Sequence, residues 1–269
     1  MERGELDIRV APGGAAELEG LGRALNRLAE TLEHEEEIRK ANAADLAHEL
    51  RTPVNGLLSR IEAAQDGVLP GLDNLEAMHA EALRLARLLD DLARLADAER
   101  PGLLLDKRPV DLAAVAERVA ASFAPRFNGS GVALVVDAAP VEVLGDEDRL
   151  EQVATNLVVN AWRYTASGEV RLRVARDGDD AVLEVSDTGV GIAPDDLRHV
   201  FTRFWRGDRS RSRATGGAGI GLAIVRELVR AHDGRIDVDS TPGRGSTFRV
   251  VLPAMKGART VPQTSLATA

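Results

Sequence analysis

A histidine beside a glutamate, with a threonine and a proline one turn later, makes a compact set for nucleophilic chemistry: His48-Glu49-Leu50-Arg51-Thr52-Pro53. Neutral imidazole is a competent nucleophile near pH 7. Leu46, Leu50, Pro53 and Leu57 are spaced as the inward stripe of a helix, which puts His48 roughly 160–200° away, on the solvent face. Thr52 lies one turn on, beside His48. Pro53 removes a helical hydrogen bond and is expected to kink the helix, at a cost of ~3 kcal/mol that asks for a reason. Alone, the hexapeptide reads equally well as an ordinary surface histidine followed by a helix defect.

Three later sets carry complementary chemistry. In the segment Gln152 to Tyr164, Leu150, Val153, Leu157 and Ala161 form an apolar face, edged by Gln152, Asn156, Asn160 and Arg163. Asparagine is a mediocre helix former, so two of them one turn apart suggest a use. Amide oxygens suit a hard cation such as Mg²⁺, and Arg163 suits a phosphate; a solvated polar edge is the plain alternative. Next comes Asp187-Thr188-Gly189-Val190-Gly191-Ile192. Asp187 shares parity with Leu183 and Val185, so its carboxylate is expected on the buried face, where it needs a partner such as a purine amino group. Finally, Gly216-Gly217-Ala218-Gly219-Ile220-Gly221-Leu222 opens a helix and offers free N–H groups to phosphate oxygens. Upstream of it, Phe201, Phe204 and Trp205 are interleaved with and followed by arginines from Arg203 to Arg213, read as a basic flap or as a solvated loop over core aromatics. There is no G-x-x-x-x-G-K-[ST] loop and no V-A-I-K, H-R-D or D-F-G set.

The elements that must position these groups change character along the chain. Leu18, Leu21, Leu25, Leu28 and Leu32 step by three and four, a coiled-coil seam. A second stripe runs from Leu46 to Ile61, and a third through Leu75, Met78, Ala82, Leu85, Leu89 and Leu92. The turn Gly67 to Gly71 separates them, giving an antiparallel helical hairpin. A hairpin alone cannot bury both stripes, so a second copy is expected to complete a four-helix bundle. Residues 99–110, with Pro101, Gly102 and Pro109, read as a linker. Beyond it, helices 111–127, 148–164 and 219–232 alternate with strands 132–136, 142–144, 170–174, 183–187, 235–239 and 247–252, and Asp111 is placed as an N-cap. The fold class is α plus α+β: a helical hairpin, then an α/β sandwich with helices on one face. Residues 254–269 lack any period and are expected to be disordered.

Bulk composition bounds the rest. The 269 residues are 44% hydrophobic and only 3% aromatic, with a formal charge of −9. That charge argues against general nucleic-acid binding. The absence of cysteine excludes disulfides and thiolate metal sites. No apolar run approaches the ~20 residues of a bilayer span, so no membrane contact is expected from this segment.

The order of these motifs along one chain, from Arg39 to Pro253, resembles the two-component sensor histidine kinases, with a HisKA-type dimerisation and phosphoacceptor domain and a GHKL-type ATP-binding domain. Residues 1–38 look like part of a HAMP signal-relay module. The resemblance implies boundaries of 39–98 for the helical hairpin and 111–253 for the catalytic domain. It implies ATP and Mg²⁺ as cofactors, a homodimer, a cognate response regulator, and a cytoplasmic position within a bacterial protein anchored in the plasma membrane upstream. His48 would be the phosphoacceptor, Glu49 its acid–base partner, and Thr52 the residue that positions water for phosphatase action. Asn160 would hold Mg²⁺, with Asn156, Arg163 and Tyr164 near the phosphates. Asp187 would take the adenine amino group. Gly189, Gly191, Ile192, Phe204, Gly217, Gly219, Gly221, Leu222 and Thr247 would shape the nucleotide pocket, beneath a lid from Arg206 to Ala218. Arg163 stands where lysine is usual, and Asp233 where glycine often follows a histidine. Two other classes compete: an ATPase on the same nucleotide fold, which would carry a catalytic glutamate where Asn156 stands, and a non-catalytic nucleotide-binding scaffold.

Overall fold

The structure is a computed structural model, and it describes residues 16–68, 71–100, 104–205 and 219–255. Within its first helix the side chains of residues 16–19, 22, 23, 34–43, 45, 48 and 49 also lie outside the described set. The expectations placed on residues 1–15, on Gly217, on the lid 206–218 and on the tail beyond Met255 fall outside it too. The chain divides into two compact units, Met1–Leu85 and Ala86–Ala269.

In the first unit, helix α1 runs without interruption from Ala16 to Gln65, so the expected coiled coil and the first hairpin helix are one element of 50 residues. Pro53 lies inside it, buried, and the helical assignment continues on both sides. Helix α2, Leu72–Ala98, begins after the turn at Gly67 and Gly71, both at positive φ. One chain leaves part of the third stripe uncovered. Leu75 and Leu89 are exposed, at 60% and 55%, whereas Leu88 and Leu95 are buried. A helix of this length carries apolar residues around more than one face, so spacing alone does not say which face a single chain covers. Among the described residues no helix is long and apolar enough to cross a membrane.

The second unit holds the sheet. Strand β1, Arg108–Asp111, is followed by α3, Leu112–Phe127; β2, Val132–Ala138; β3, Glu142–Gly145; and α4, Glu147–Tyr164. Then come β4, Gly168–Asp177; β5, Asp180–Asp187; the short α5, Pro194–Leu197; α6, Gly221–Ala231; β6, Arg235–Thr241; and β7, Gly245–Pro253. The main sheet has the order β2-β4-β5-β7-β6, with β2 and β4 parallel and every other pair antiparallel. Strict alternation builds its two faces. Val170, Leu172 and Val174 are buried while Arg171 and Arg173 are exposed, and Ala181, Leu183, Val185 and Asp187 share the buried face of β5. Helices α3, α4 and α6 supply the other half of that core through Val115, Val119, Leu150, Leu157, Ile224 and Leu228. Asp111 caps α3 as expected, its Oδ1 accepting the Ala113 N–H at 3.0 Å.

The expected linker is partly strand. Residues 108–111 pair antiparallel with β3, Pro109 opposite Leu144, which Pro109 tolerates because the two-stranded sheet leaves β1 on an edge.

His232 closes this unit at the end of α6 and is only 4% exposed. Burial, the dominant influence, holds its imidazole below the ordinary histidine range; Lys107 acts the same way, while the Leu228 carbonyl, Asp146 and Asp233 oppose it. The unfolded chain therefore takes up this proton more readily than the native one. The stability tied to the neutral ring is complete above about pH 6.5. It falls as pH drops toward the lower native value, at up to about 1.4 kcal/mol per pH unit. Urea unfolding at pH 7.5 and pH 5.5 is expected to show this loss in the wild type, and a smaller one in His232→Gln, which lacks the titration.

Candidate active site

The sheet and two helices bring the described residues of three of the four chemical sets into one unit. Asp187 ends β5 and is 8% exposed. Its Oδ1 accepts the Gly189 N–H at 2.8 Å. Burial holds its carboxyl above the usual carboxylate range, against the pull of the Gly189 and Ser246 N–H groups. The result is a desolvated acceptor with little competition from water, suited to a neutral N–H donor.

The loop after Asp187 is set by backbone. Val190 N–H donates to the Tyr164 carbonyl at 3.1 Å, and Gly243 N–H donates to the Val190 carbonyl at 2.8 Å. Ile192 N–H donates to Ser240 Oγ at 2.8 Å. Gly191 sits at φ 68°, and a Cβ there would lie 2.1 Å from the Thr241 carbonyl oxygen. Gly245 is tighter still: at φ 101°, a Cβ would lie 1.8 Å from the Asp187 carbonyl oxygen. Gly245→Ala is expected to cost about 2–4 kcal/mol, combining the strained backbone with displacement of the Asp187 strand. Urea unfolding reads the stability loss, and nucleotide titration is expected to weaken with it. Thr247, half-buried on β7, pairs across the sheet with Ser186.

Helix α4 supplies the polar wall. Its N-cap is Asp146, whose Oδ1 accepts the Arg149 N–H at 3.2 Å. Leu150, Val153, Leu157 and Ala161 are buried as the sequence predicts, and Gln152, Asn156, Asn160 and Arg163 are half-buried along the edge. Among the described residues, Asn156 Nδ2 and Gln152 Nε2 are buried with no hydrogen-bond partner. Native proteins rarely leave such groups unmet unless a bound group meets them. Gly221, at the start of α6, faces this edge: a Cβ there would make an ordinary contact with Asn156 Oδ1 at 3.6 Å. Leu222 is half-buried beside it, and Tyr164 is 37% exposed at the other end of α4.

The described ends of the flap are held together. Phe204 is one of two non-glycine residues at positive φ among those described, at 59°, and its N–H donates to the Gly219 carbonyl at 3.0 Å. Gly219 is left-handed as well, at φ 71°, with Trp205 O 2.8 Å from where a Cβ would be. Phe201 packs edge-on to Phe248 with ring centroids 6.3 Å apart, the core role left open by the sequence.

The last turns of α2 add charges that the sequence did not flag. Asp97 pairs with Arg149 at 2.5 Å, and Glu99, just past the helix, pairs with Arg203. Burial holds the Asp91 carboxyl above the usual carboxylate range, against the pull of Arg94 and Arg163. Ser240 and Ser246, which orient the loop near Asp187, were also not singled out; two serines among strand residues give no periodic signal.

His48 and Thr52 lie in the other unit, in the helical stretch of α1, where Thr52 is exposed. The side chains of His48 and Glu49 fall outside the described residues.

Asp187 thus offers a buried acceptor suited to an amino-bearing planar ring, and the edge of α4 offers unpartnered amide donors suited to an oxygen-rich anion. Two protein-family models match the chain in this arrangement. The "His Kinase A (phospho-acceptor) domain" covers residues 38–101, and the "Histidine kinase-, DNA gyrase B-, and HSP90-like ATPase" covers residues 145–256. The signal transduction histidine-protein kinase BaeS of Escherichia coli K12 is 39% identical over 253 residues, 93% of this chain and 54% of its own length. Full-length ShkA in complex with AMPPNP is 30% identical at a TM-score of 0.61, over 82% of this chain and 47% of that one. The histidine kinase ThkA in complex with the response regulator protein TrrA shares the fold at a TM-score of 0.70 and 19% identity, over 84% of this chain and 65% of that one. The chain thus spans about half the length of the curated relatives it matches.

Proposed function

The chain belongs to the sensor histidine kinases, and on that premise we propose that it phosphorylates its own His48 from ATP and passes the phosphoryl group to an aspartate of a response regulator. The observation that carries this reading is the α4 wall, with its buried unpaired amides of Asn156 and Gln152, in the same domain as the desolvated Asp187. A solvated polar edge would leave no orphaned donors. An ATPase that activates water would want a carboxylate base where Asn156 stands.

In this mechanism Asp187 accepts the adenine amino group, and Gly189 and Gly191 let the loop lie against the ring. Asn160 would hold Mg²⁺, which when bound neutralises phosphate charge; the neutral amide oxygens of this edge suit such a hard cation. Arg163 and the glycines before α6 receive phosphate oxygens. One nitrogen of the neutral His48 ring attacks the γ-phosphorus, the bond to the bridging oxygen breaks, and ADP leaves with that electron pair. Glu49 takes the ring proton. Because the transition state is loose, most of the acceleration comes from alignment and charge neutralisation.

The exposed leucines of α1 and α2, among them Leu21, Leu28, Leu58, Leu75 and Leu89, support a homodimer in which a second hairpin covers them. Thr52, exposed one turn after His48, is the residue to position water if the protein also dephosphorylates its regulator. ThkA was captured with a response regulator, and a regulator is the partner we assign here. The site belongs in the cytoplasm, where ATP is, in a protein held at the membrane by segments outside this sequence. Incubation with γ-³²P-ATP and Mg²⁺ tests the reading: alkali-stable, acid-labile label is expected, and ATP binding without label would overturn it.

A further inference from the structure

The cleft's two helical walls, α4 and α6, are joined at the end remote from Asn160. Asp146 precedes Asn156 by ten residues, about 15 Å along the helix. There the buried ring of His232, just after α6, accepts the Asp146 N–H at Nε2 at 3.0 Å and donates from Nδ1 to the Leu228 carbonyl at 2.7 Å. The donor at Asp146 fixes the tautomer, because Nε2 must be the acceptor and Nδ1 must carry the hydrogen. The Asp146 carboxylate accepts the Arg149 N–H through Oδ1 and the Asp106 N–H through Oδ2 at 3.1 Å. One imidazole and one carboxylate therefore tie together the C-terminus of α6, the N-terminus of α4 and the segment that precedes β1.

The neighbouring residue makes room for this tie. A Cβ at Gly145, the last residue of β3, would lie 3.0 Å from His232 Cδ2 and 2.8 Å from Leu150 Cδ1. Glycine there lets strand, ring and helix meet. Without a polar contact at this point, α4 and α6 would be held to each other through apolar side chains, which tolerate sliding better than a directional bond does.

We propose that His232 is a positioning residue for nucleotide binding, acting through its bond to the Asp146 N–H to set the spacing of α4 and α6 and so the alignment of Asn156, Asn160 and Arg163. It touches neither base nor phosphate. This rests on the reading that the cleft binds ATP, and the test separates the two.

The comparison is between His232→Gln and His232→Asn in the full chain, with titration of ADP and Mg²⁺ by calorimetry and initial labelling rates over a range of ATP. Glutamine reaches far enough to accept the Asp146 N–H; asparagine, one methylene shorter, reaches only the Leu228 side. His232→Asn is expected to weaken ADP about fivefold, the effect of one lost neutral hydrogen bond, and to raise the KM for ATP alike. Its rate at saturating ATP should stay within about twofold of wild type. His232→Gln should return to within about twofold in both affinity and KM. If both variants are folded and bind ADP equally, the positioning role is refuted, whatever their melting temperatures. Should His232→Asn not stay folded, His232→Phe, which fills the ring volume without either nitrogen, replaces it with the same expectation and the same refutation. A wild type that fails to bind ADP would refute the nucleotide reading itself.

Discussion

His48→Gln is expected to lose autophosphorylation by at least about a thousandfold while still binding ATP, since no other group in the chain replaces a nucleophile presented to the γ-phosphorus. Glutamine keeps polarity and approximate length, so the helix α1 should persist. The two parts of the expectation belong together. His48 and the nucleotide cleft lie in different compact units, so removing the acceptor leaves Asp187 and α4 intact. A filter-binding assay with γ-³²P-ATP reads the first part, and ADP calorimetry reads the second. Residual label at a tenth of the wild-type level in His48→Gln would mean that His34, His79, His199 or His232, or a hydroxyl, accepts the phosphoryl group.

The second large effect concerns Asp187→Asn, which is expected to weaken ATP and ADP by about a hundredfold, the loss of one or two hydrogen bonds to a charged acceptor. The carboxylate has only acceptor sites, and one oxygen already takes the Gly189 N–H at 2.8 Å. An asparagine must aim its NH₂ either at that N–H or at the incoming adenine amino group, so one donor meets another in a desolvated place. Because the substitution removes a base contact and not a phosphate contact, discrimination between ATP and GTP should collapse toward unity. Competition calorimetry with both nucleotides checks this. Retained preference for ATP in a folded Asp187→Asn would move adenine recognition elsewhere.

The parts of this fold legible in the sequence are those whose signal is local and periodic. The two-residue alternation of β4 and β5 placed Asp187 on the buried face, and the burial of Leu183, Val185 and Asp187 follows it. The stripe of α4 separated Leu150, Val153 and Leu157 from Asn156 and Asn160 in the same way. Elements held by distant partners were not legible. Strand β1 contains Pro109 behind Lys107 and Arg108, reads locally as linker, and becomes strand only because β3 pairs with it. The four-residue α5 is too short to show a period.

The long helices show the same limit. The coiled-coil seam and the first hairpin helix form one element, because Leu, Ala and Glu carry the helix through the whole of Ala16–Gln65. The choice between Leu88 and Leu89 as the covered residue depends on what packs on α2, which spacing does not specify. Within the site, the motif residues were visible, but their supports were not. Ser240, which accepts the Ile192 N–H, and His232, which accepts the Asp146 N–H, act across 48 and 86 residues. A lone histidine after an apolar helix looks no different in sequence from a surface residue.

The most direct measurement is the location of the phosphoryl group. After incubation of the wild-type chain with ATP and Mg²⁺ at pH 8, ³¹P NMR of the protein and mass spectrometry of its peptides should find one phosphohistidine, on the peptide that contains His48. ADP release without phosphoprotein, or phosphate on any peptide other than that one, would contradict the assignment of this chain as a kinase of its own His48.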